Sequence, residues 1–172
     1  MNNLPQDLML KAQNDPEILT LLKSALENSK ANYCDKAINN FSDLINKIPN
    51  IAELYLYRGL EYLELEDYQK AIDDFLKAVE INPSLDRAWL NLAGCRRHSG
   101  DIKGAYLAYC KGLEANPQNM HIYHNRAWIK YYLGDFEGAR EDWLAASKLG
   151  HSESSKLANK IICKAILKML KV

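Results

Sequence analysis

The chain has 172 residues, 48% hydrophobic and 26% charged, which is enough apolar material for the core of one soluble domain. Its 22 Lys and Arg balance its 22 Asp and Glu, which argues against a nucleic acid or acidic substrate held by bulk electrostatics. The sequence shows no signal peptide and no run of 18 apolar residues, so we expect a cytoplasmic protein without a membrane partner. Its cysteines lack the spacing of a metal site or a disulfide framework, so we expect no metal or cofactor.

Four columns of residues recur at intervals of 34 positions along most of the chain. One contains proline, one contains aromatic residues and two contain small residues: Pro49, Pro83, Pro117; Phe41, Phe75, Tyr109, Trp143; Ala25, Gly59, Ala93, Ala127; and Ala37, Ala71, Ala105, Ala139. Columns that share one period indicate tandem structural repeats. The period places four units at residues 18–51, 52–85, 86–119 and 120–153.

The segment before the first unit, residues 1–17, is predicted to cover the outer apolar side of that unit. The apolar residues available for this are Leu4, Leu8, Met9 and Leu10. Asp15 and Pro16 follow them, and an aspartate cap with proline at the first helical position is typical of a helix start.

Each unit is predicted to form two helices joined by a short turn. In the second unit, apolar residues at helical spacing occupy residues 52–65 and again 69–81, and Pro83 ends the second run. In the third and fourth units the turns contain Gly100–Asp101 and Gly134–Asp135, where glycine allows left-handed backbone and aspartate can cap the next helix. The two small columns predict that the paired helices approach closely.

The segment after the fourth unit, residues 154–172, is predicted to be a capping helix. Its apolar residues Leu157, Ile161 and Ala165 share one face, and lysines recur every fourth residue at Lys156, Lys160, Lys164 and Lys168. Such spacing is typical of a solvated helix face, which is the interpretation we favour. The alternative is a basic amphipathic helix that binds an anionic membrane or nucleic acid.

This pattern resembles the tetratricopeptide repeat, whose period is also 34 residues. The second unit matches most closely, with Tyr55, Gly59, Tyr62, Ala71, Phe75, Ala78 and Pro83. The first is the most degenerate, because Asn28 occupies the tyrosine column and Leu44 a small column. The resemblance implies an all-α, right-handed solenoid of four helix-turn-helix repeats with a C-terminal capping helix.

The resemblance also implies a function, because the family binds proteins and peptides in a concave groove formed by the first helix of each repeat. The groove positions carried over to this chain are Leu56, Tyr57, Leu60, Leu63, Arg87, Asn91, Arg97, His124, Asn125, Trp128 and Tyr131. These residues are rich in leucine and aromatics, which favours an apolar or amphipathic peptide. The expected anchors are Leu56, Leu60, Asn91, Tyr131 and Trp128, the last unless the C-terminal helix covers it.

A subclass of the family binds acidic chaperone tails through a clamp of two basic and three polar residues. The corresponding positions here are Leu56, Leu60, Asn91, His121 and Asn125. Only Asn91 matches, and the missing lysine removes the charged donor that a carboxylate requires. We therefore expect a different ligand.

Two other functional classes have some support in the sequence. The groove leucines could be covered by the protein's own N-terminal segment or by a second copy of the chain, which would make it a homo-oligomer. His121 and His124 share a helix face, but no third metal ligand is evident, and no catalytic motif is present. We thus expect a non-catalytic adaptor or scaffold with a protein or peptide partner.

Overall fold

The computed structural model describes residues 6–169, and the side chains of residues 6–160. Within this range the chain forms ten helices and no strand: α1 (Gln6–Asn14), α2 (Pro16–Lys30), α3 (Cys34–Lys47), α4 (Ala52–Glu64), α5 (Tyr68–Ile81), α6 (Asp86–His98), α7 (Ile102–Ala115), α8 (Met120–Tyr132), α9 (Phe136–Lys148) and α10 (Ser152–Met169). Consecutive helices pack against each other as hairpins, α2 with α3, α4 with α5, α6 with α7 and α8 with α9. The predicted all-α solenoid of stacked hairpins is confirmed.

The recurring small residues lie where the two helices of each hairpin meet. All seven alanines of these two columns have 0% exposure, and Gly59 is also buried. A methyl group added at Gly59 would lie 2.7 Å from Cε1 of Phe75, closer than carbon atoms pack. The aromatic column fills the space around these contacts, with every member at most 1% exposed.

The turns inside the hairpins follow the local signals of the sequence. Gly100 and Gly134 have φ of 83° and 86°, and the carboxylates of Asp101 and Asp135 accept backbone N–H bonds at the starts of α7 and α9. These predictions are confirmed. Asp15 likewise caps α2, accepting from the backbone N–H of Glu17 at 2.9 Å, with Pro16 at the first helical position.

The two ends of the array agree with the predicted capping segments in part. Leu8 is fully buried against the first hairpin, but Leu10 is 57% exposed and does not contribute to the cap, while Leu4 lies outside the described residues. At the other end α10 begins at Ser152 and packs on α9. Lys156 and Lys160 are exposed, Leu157 is half-buried, and Ile161, Lys164, Ala165 and Lys168 have no described side chains.

Two hairpins contain a partly buried ion pair that joins their helices. In the second unit, Arg58 Nε and Nη2 donate to the two carboxylate oxygens of Asp74 at 2.8 and 2.7 Å. In the fourth unit, Arg126 makes the same bidentate pair with Asp142, at 2.8 Å for both bonds. This pairing raises the pKa of both arginines, although burial opposes the rise.

In the other two units, the positions equivalent to this arginine and aspartate hold residue pairs of a different chemical type. In the first unit, Asn40 donates a hydrogen bond of 2.6 Å to the Ser24 hydroxyl. In the third unit, Leu92 and Ala108 occupy these positions and are buried. The two helices of a hairpin are thus joined at this place by an ion pair, a neutral hydrogen bond or an apolar contact, depending on the unit.

The matched positions predict how the second hairpin responds to substitution. Asp74→Ala should destabilise the protein by about 3 kcal/mol, because it leaves the guanidinium of Arg58 largely buried without its partner. The double change Arg58→Leu with Asp74→Ala, which copies the third unit, should recover the stability to within about 1 kcal/mol. Urea unfolding measures both values. A double variant as unstable as Asp74→Ala alone would contradict the interpretation.

The contact at Gly59 predicts a second difference. Gly59→Ala should lower the free energy of unfolding by roughly 1 kcal/mol or more, because the overlap with the buried Phe75 ring outweighs the higher helix propensity of alanine. Gly94→Ala is the matched control, since nothing lies within 4 Å of a methyl group there. That control should gain up to about 1 kcal/mol. Equal effects in thermal or urea unfolding would show that helix propensity alone governs both sites.

Candidate functional site

The first helices of the second, third and fourth units bound a cleft of about 330 Å³. We call it the polar cleft, and its lining residues are Leu63, Leu90, Asn91, Gly94, Cys95, Arg97, His98, Tyr109, His121 and Asn125. Most belong to α6 and α8, while Leu63 comes from α4 and Tyr109 from α7. The small residue Gly94 opens the middle of α6, so that the cleft extends over that helix.

A second cleft of about 660 Å³ adjoins the first toward the carboxyl end of α8. We call it the aromatic cleft, and it is lined by Arg97, Ile102, His124, Asn125, Trp128, Ile129, Tyr132 and Leu133. Arg97 and Asn125 belong to both clefts, which makes the two a continuous surface. The aromatic cleft opens beside side chains that are strongly exposed, with Tyr132 at 78% and Leu133 at 67%.

The described lining of the two clefts contains basic groups and no acidic ones. Its ionisable nitrogen groups are Arg97, His98, His121 and His124, and no Asp or Glu of the described chain lines either cleft. Arg97 is exposed and has no ion-pair partner among the described residues. Burial raises the pKa of Tyr109, and the positive charge of Arg97 beside its hydroxyl opposes the rise. The shared wall of the two clefts is therefore cationic.

Six of the eleven groove residues expected from the sequence line these clefts. They are Leu63, Asn91, Arg97, His124, Asn125 and Trp128. Leu56 does not, because it is 1% exposed in the core, where it packs as Leu22 does in the first unit. The expectation that Leu56 faces a ligand is corrected: this helix position points inward in the first two units and turns toward the surface only at Leu90 and His124.

The other four expected residues lie outside the cleft walls. Tyr57 is half-buried and stacks on Phe41 with ring centroids 5.8 Å apart. Burial raises the pKa of Tyr57, while the exposed Arg87 beside it opposes the rise. Leu60 is half-buried against the core. Tyr131 packs against Trp128 and behind the aromatic cleft.

Trp128 is held by aromatic packing on several sides. Its ring lies edge-on to Trp143 at a centroid distance of 5.0 Å and stacks with Tyr132 at 5.9 Å. Trp143 is 1% exposed, so one side of Trp128 belongs to the core while another lines the cleft. Among the described side chains, which extend to residue 160, Trp128 is half-buried and lines the cleft.

A chain of three hydrogen bonds connects Trp128 to the start of α10. The indole nitrogen of Trp128 lies 3.2 Å from Nε2 of His124, and Nδ1 of His124 lies 2.9 Å from the Ser154 hydroxyl. That hydroxyl also lies 3.0 Å from Nδ1 of His151. The two imidazole rings stack with centroids 4.0 Å apart. We call Trp128, His124, Ser154 and His151 the histidine relay.

The ionisation of His124 is shifted by its surroundings. Burial lowers the pKa of His124, the neighbouring imidazoles of His151 and His121 lower it further, and the carboxylate of Glu153 opposes the change. Because the shift is downward, the neutral ring is the form that the folded protein favours near neutral pH.

Several residues of this surface were not expected from the sequence. Ile102 begins α7 and Leu133 follows the end of α8, and only stacking of the hairpins brings them to one cleft. His151 could have been noticed, because it occupies the column that holds proline in the three preceding units. Its partner Ser154 is fully buried, which no local pattern indicates.

The described residues contain no cluster of three histidine, cysteine, aspartate or glutamate side chains placed to bind a metal ion. His121 and His151 meet edge to face at 5.7 Å, but His124 uses both ring nitrogens within the histidine relay. Between residues 6 and 169, none of the helices has the length and apolarity needed to cross a bilayer.

The sequence and structure were compared with known proteins. Residues 52–85 match the family described as tetratricopeptide repeat. A human protein, protein O-mannosyl-transferase TMTC1, is 30% identical over 91 residues, which cover 51% of this chain and 10% of that protein. The match thus spans a tenth of that relative's length.

Several solved structures have a similar fold. The crystal structure of MamA has a TM-score of 0.74 at 20% identity, and the match covers 86% of this chain and 87% of that chain. The TPR domain of Arabidopsis OM64 has a TM-score of 0.63 at 23% identity, covering 66% and 93% of the two chains. The first TPR domain of Spaghetti (RPAP3), bound to the HSP90 peptide SRMEEVD, has a TM-score of 0.64 at 23% identity, covering 67% and 92%.

Stacked helical hairpins with buried small columns define a helical-repeat solenoid protein. The second unit matches the tetratricopeptide-repeat family, and the fold of the described chain is similar to that of these TPR domains. The predicted tetratricopeptide repeat is thereby confirmed at residues 52–85.

Proposed function

We propose that this protein is a non-catalytic interaction module whose polar and aromatic clefts together bind one extended or helical peptide segment of a partner protein. The observation that carries the proposal is the continuity of the two clefts through Arg97 and Asn125. One part of the surface is apolar and the adjoining part is cationic, so a single amphipathic segment can satisfy both.

The apolar contribution comes from the aromatic cleft. Trp128 is half-buried and fixed by its contact with Trp143, so it loses little conformational freedom when a ligand covers it. Exposed aromatic and aliphatic side chains at Tyr132, Leu133 and Ile102 surround it. Rigid aromatic residues in a concave, partly desolvated site are the usual anchors of protein interfaces.

The polar contribution comes from the wall shared by the clefts. Arg97 has five donors and no described ion-pair partner, so an acidic side chain of the ligand can pair with it. The amides of Asn91 and Asn125 supply further donors and acceptors nearby. The ligand we propose therefore has a bulky apolar residue close to an Asp or Glu.

We propose that the ligand is not an acidic chaperone tail. The structure of Spaghetti (RPAP3) contains an HSP90 peptide, but its likeness to this chain is a likeness of fold. Here Leu56 is buried and Leu60 is half-buried where that type of clamp requires polar donors. Arg97 alone cannot replace two basic residues and their polar partners.

The human relative does not suggest an enzymatic activity for this chain. Its name describes a mannosyl-transferase, but the match covers only a tenth of that protein. We also propose a cytoplasmic location, since Cys34 and Cys95 are free buried thiols and burial raises the pKa of Cys95 to about 11.

Selection from a phage-displayed library of random short peptides, with the full chain as bait, tests the proposal. Selected peptides should share an Asp or Glu near a bulky apolar residue. Trp128→Ala should weaken their binding at least about tenfold, and Tyr132→Ala should weaken it by less. Tyr132 is 78% exposed, so its variant reports on the site without risk to folding. Isothermal titration calorimetry measures both effects.

Arginine variants provide the matched control. Arg97→Gln should weaken binding and reduce its salt dependence, whereas Arg87→Gln, on the same helix but outside both clefts, should leave binding unchanged. The synthetic peptide SRMEEVD should not bind measurably. Binding that is unaffected by Trp128→Ala and Arg97→Gln would reject the groove as the site.

Self-association is the competing outcome. The exposed apolar residues Tyr132, Leu133 and Phe136 form a patch that a second copy of the chain could cover. If the protein is a peptide receptor, sedimentation at increasing protein concentration should detect a monomer. A dimer that Tyr132→Ala and Phe136→Ala dissociate, together with no selected peptide, would favour the homo-oligomer instead.

A further inference from the structure

We propose that His151 and Ser154 position the groove tryptophan through His124, so that docking of α10 and ligand binding at Trp128 are coupled, and that protonation of His124 weakens both. The ligand part rests on the proposed function. The docking part depends only on contacts within the chain.

The chemistry of the indole determines the direction of every bond in the histidine relay. An indole nitrogen can only donate, so Nε2 of His124 must carry no proton when it accepts from Trp128 at 3.2 Å. The proton of the neutral ring then lies on Nδ1 and is donated to the Ser154 hydroxyl at 2.9 Å. The hydroxyl in turn donates to Nδ1 of His151 at 3.0 Å.

Ser154 joins the two histidines from a buried position. It is 0% exposed and lies in the first turn of α10, whereas His124 and Trp128 belong to α8. A buried hydroxyl that loses its hydrogen-bond partners destabilises the structure, so the relay favours one placement of α10 over others. The stacking of His124 on His151 at 4.0 Å restrains the same junction.

Protonation of His124 disrupts this arrangement at one atom. A proton on Nε2 would face the N–H of Trp128, so that two donors meet and the indole loses its acceptor. Most of the groups that face His124 disfavour a positive charge on its ring, because they are cationic or basic. They are His121 on the same helix, His151 before α10 and Arg97 across the aromatic cleft. Glu153 is the one described carboxylate that favours it.

The pH range follows from the sign of the shift. The folded state lowers the pKa of His124 below the ordinary imidazole value of about 6.5. The folded junction therefore binds fewer protons than the undocked one. The stability that the junction gains is fully present above the ordinary imidazole pKa, and it decreases as the pH falls from there toward the lower pKa of His124 in the folded state.

The test compares the full chain with two glutamine variants between pH 7.5 and 5.5, which bracket an imidazole of about 6.5. Nitrogen-15 NMR of the imidazoles should find His124 with its proton on Nδ1 at the higher pH. Amide hydrogen exchange of residues 152–160, corrected for intrinsic rates, should lose protection severalfold at the lower pH. Peptides from the library selection should bind more weakly over the same interval.

His124→Gln should keep the hydrogen bonds without titrating, because its amide oxygen can accept from Trp128 and its amide nitrogen can donate to Ser154. Protection of α10 and peptide binding should then be independent of pH. His98→Gln is the matched control for the protection of α10, since His98 stacks on Tyr68, outside the relay. Protection of α10 in this variant should retain the pH dependence of the unmodified chain; because His98 lines the polar cleft, the variant is not compared in peptide binding.

Ser154→Ala removes the bridge and should weaken protection of α10 at both pH values. A proton on Nε2 of His124 at neutral pH, or pH-dependent protection that survives in His124→Gln, would overturn the inference. Neither readout requires a ligand. Failure of the peptide selection alone would therefore count against the proposed function, and failure of the NMR and exchange results would count against the relay.

Discussion

The close approach of the two helices in each hairpin is the contact on which the rest of the structure depends. Small residues at the crossing, such as Ala93 facing the side of α7 that carries Ala105, allow the backbones to meet with no exposed surface. Because the hairpins repeat one arrangement, they stack on one another; one core cluster extends from α1 to α8, and a second joins α8, α9 and α10 around Trp143. The regular stacking in turn spaces α4, α6 and α8 so that clefts open between them.

The helices of a hairpin can also be joined by different chemistry at one fixed place. Arg58 with Asp74 forms a bidentate ion pair, while the third unit uses the apolar residues Leu92 and Ala108 at the corresponding positions. Both partners differ together from unit to unit. The geometry of the hairpin is therefore the constraint, and any pair that satisfies its own polar groups in that space is compatible with it.

The candidate site lies at the units where groove-facing positions leave the core. The fifth residue of each 34-residue unit is buried at Leu22 and Leu56, but it is half-buried at Leu90 and His124. This position allows the His124 ring to accept a hydrogen bond from the Trp128 indole, which lines the aromatic cleft. The aromatic cleft and the start of α10 are thus connected through one set of hydrogen-bonded side chains.

The sequence by itself determined the repeat, the helix pairs, their caps and the buried columns, because each of these depends on residues close together in the chain or on a regular period. It also indicated Arg97, Asn125 and Trp128 as groove residues. The tertiary structure alone decided that Leu56 is buried and that Ile102 at the start of α7 and Leu133 after α8 line one cleft, because burial depends on what stacks above a position. It also brought His151 and Ser154, at the start of α10, to His124 of α8; the period marks His151 as an exception in the proline column, but it does not reveal this contact.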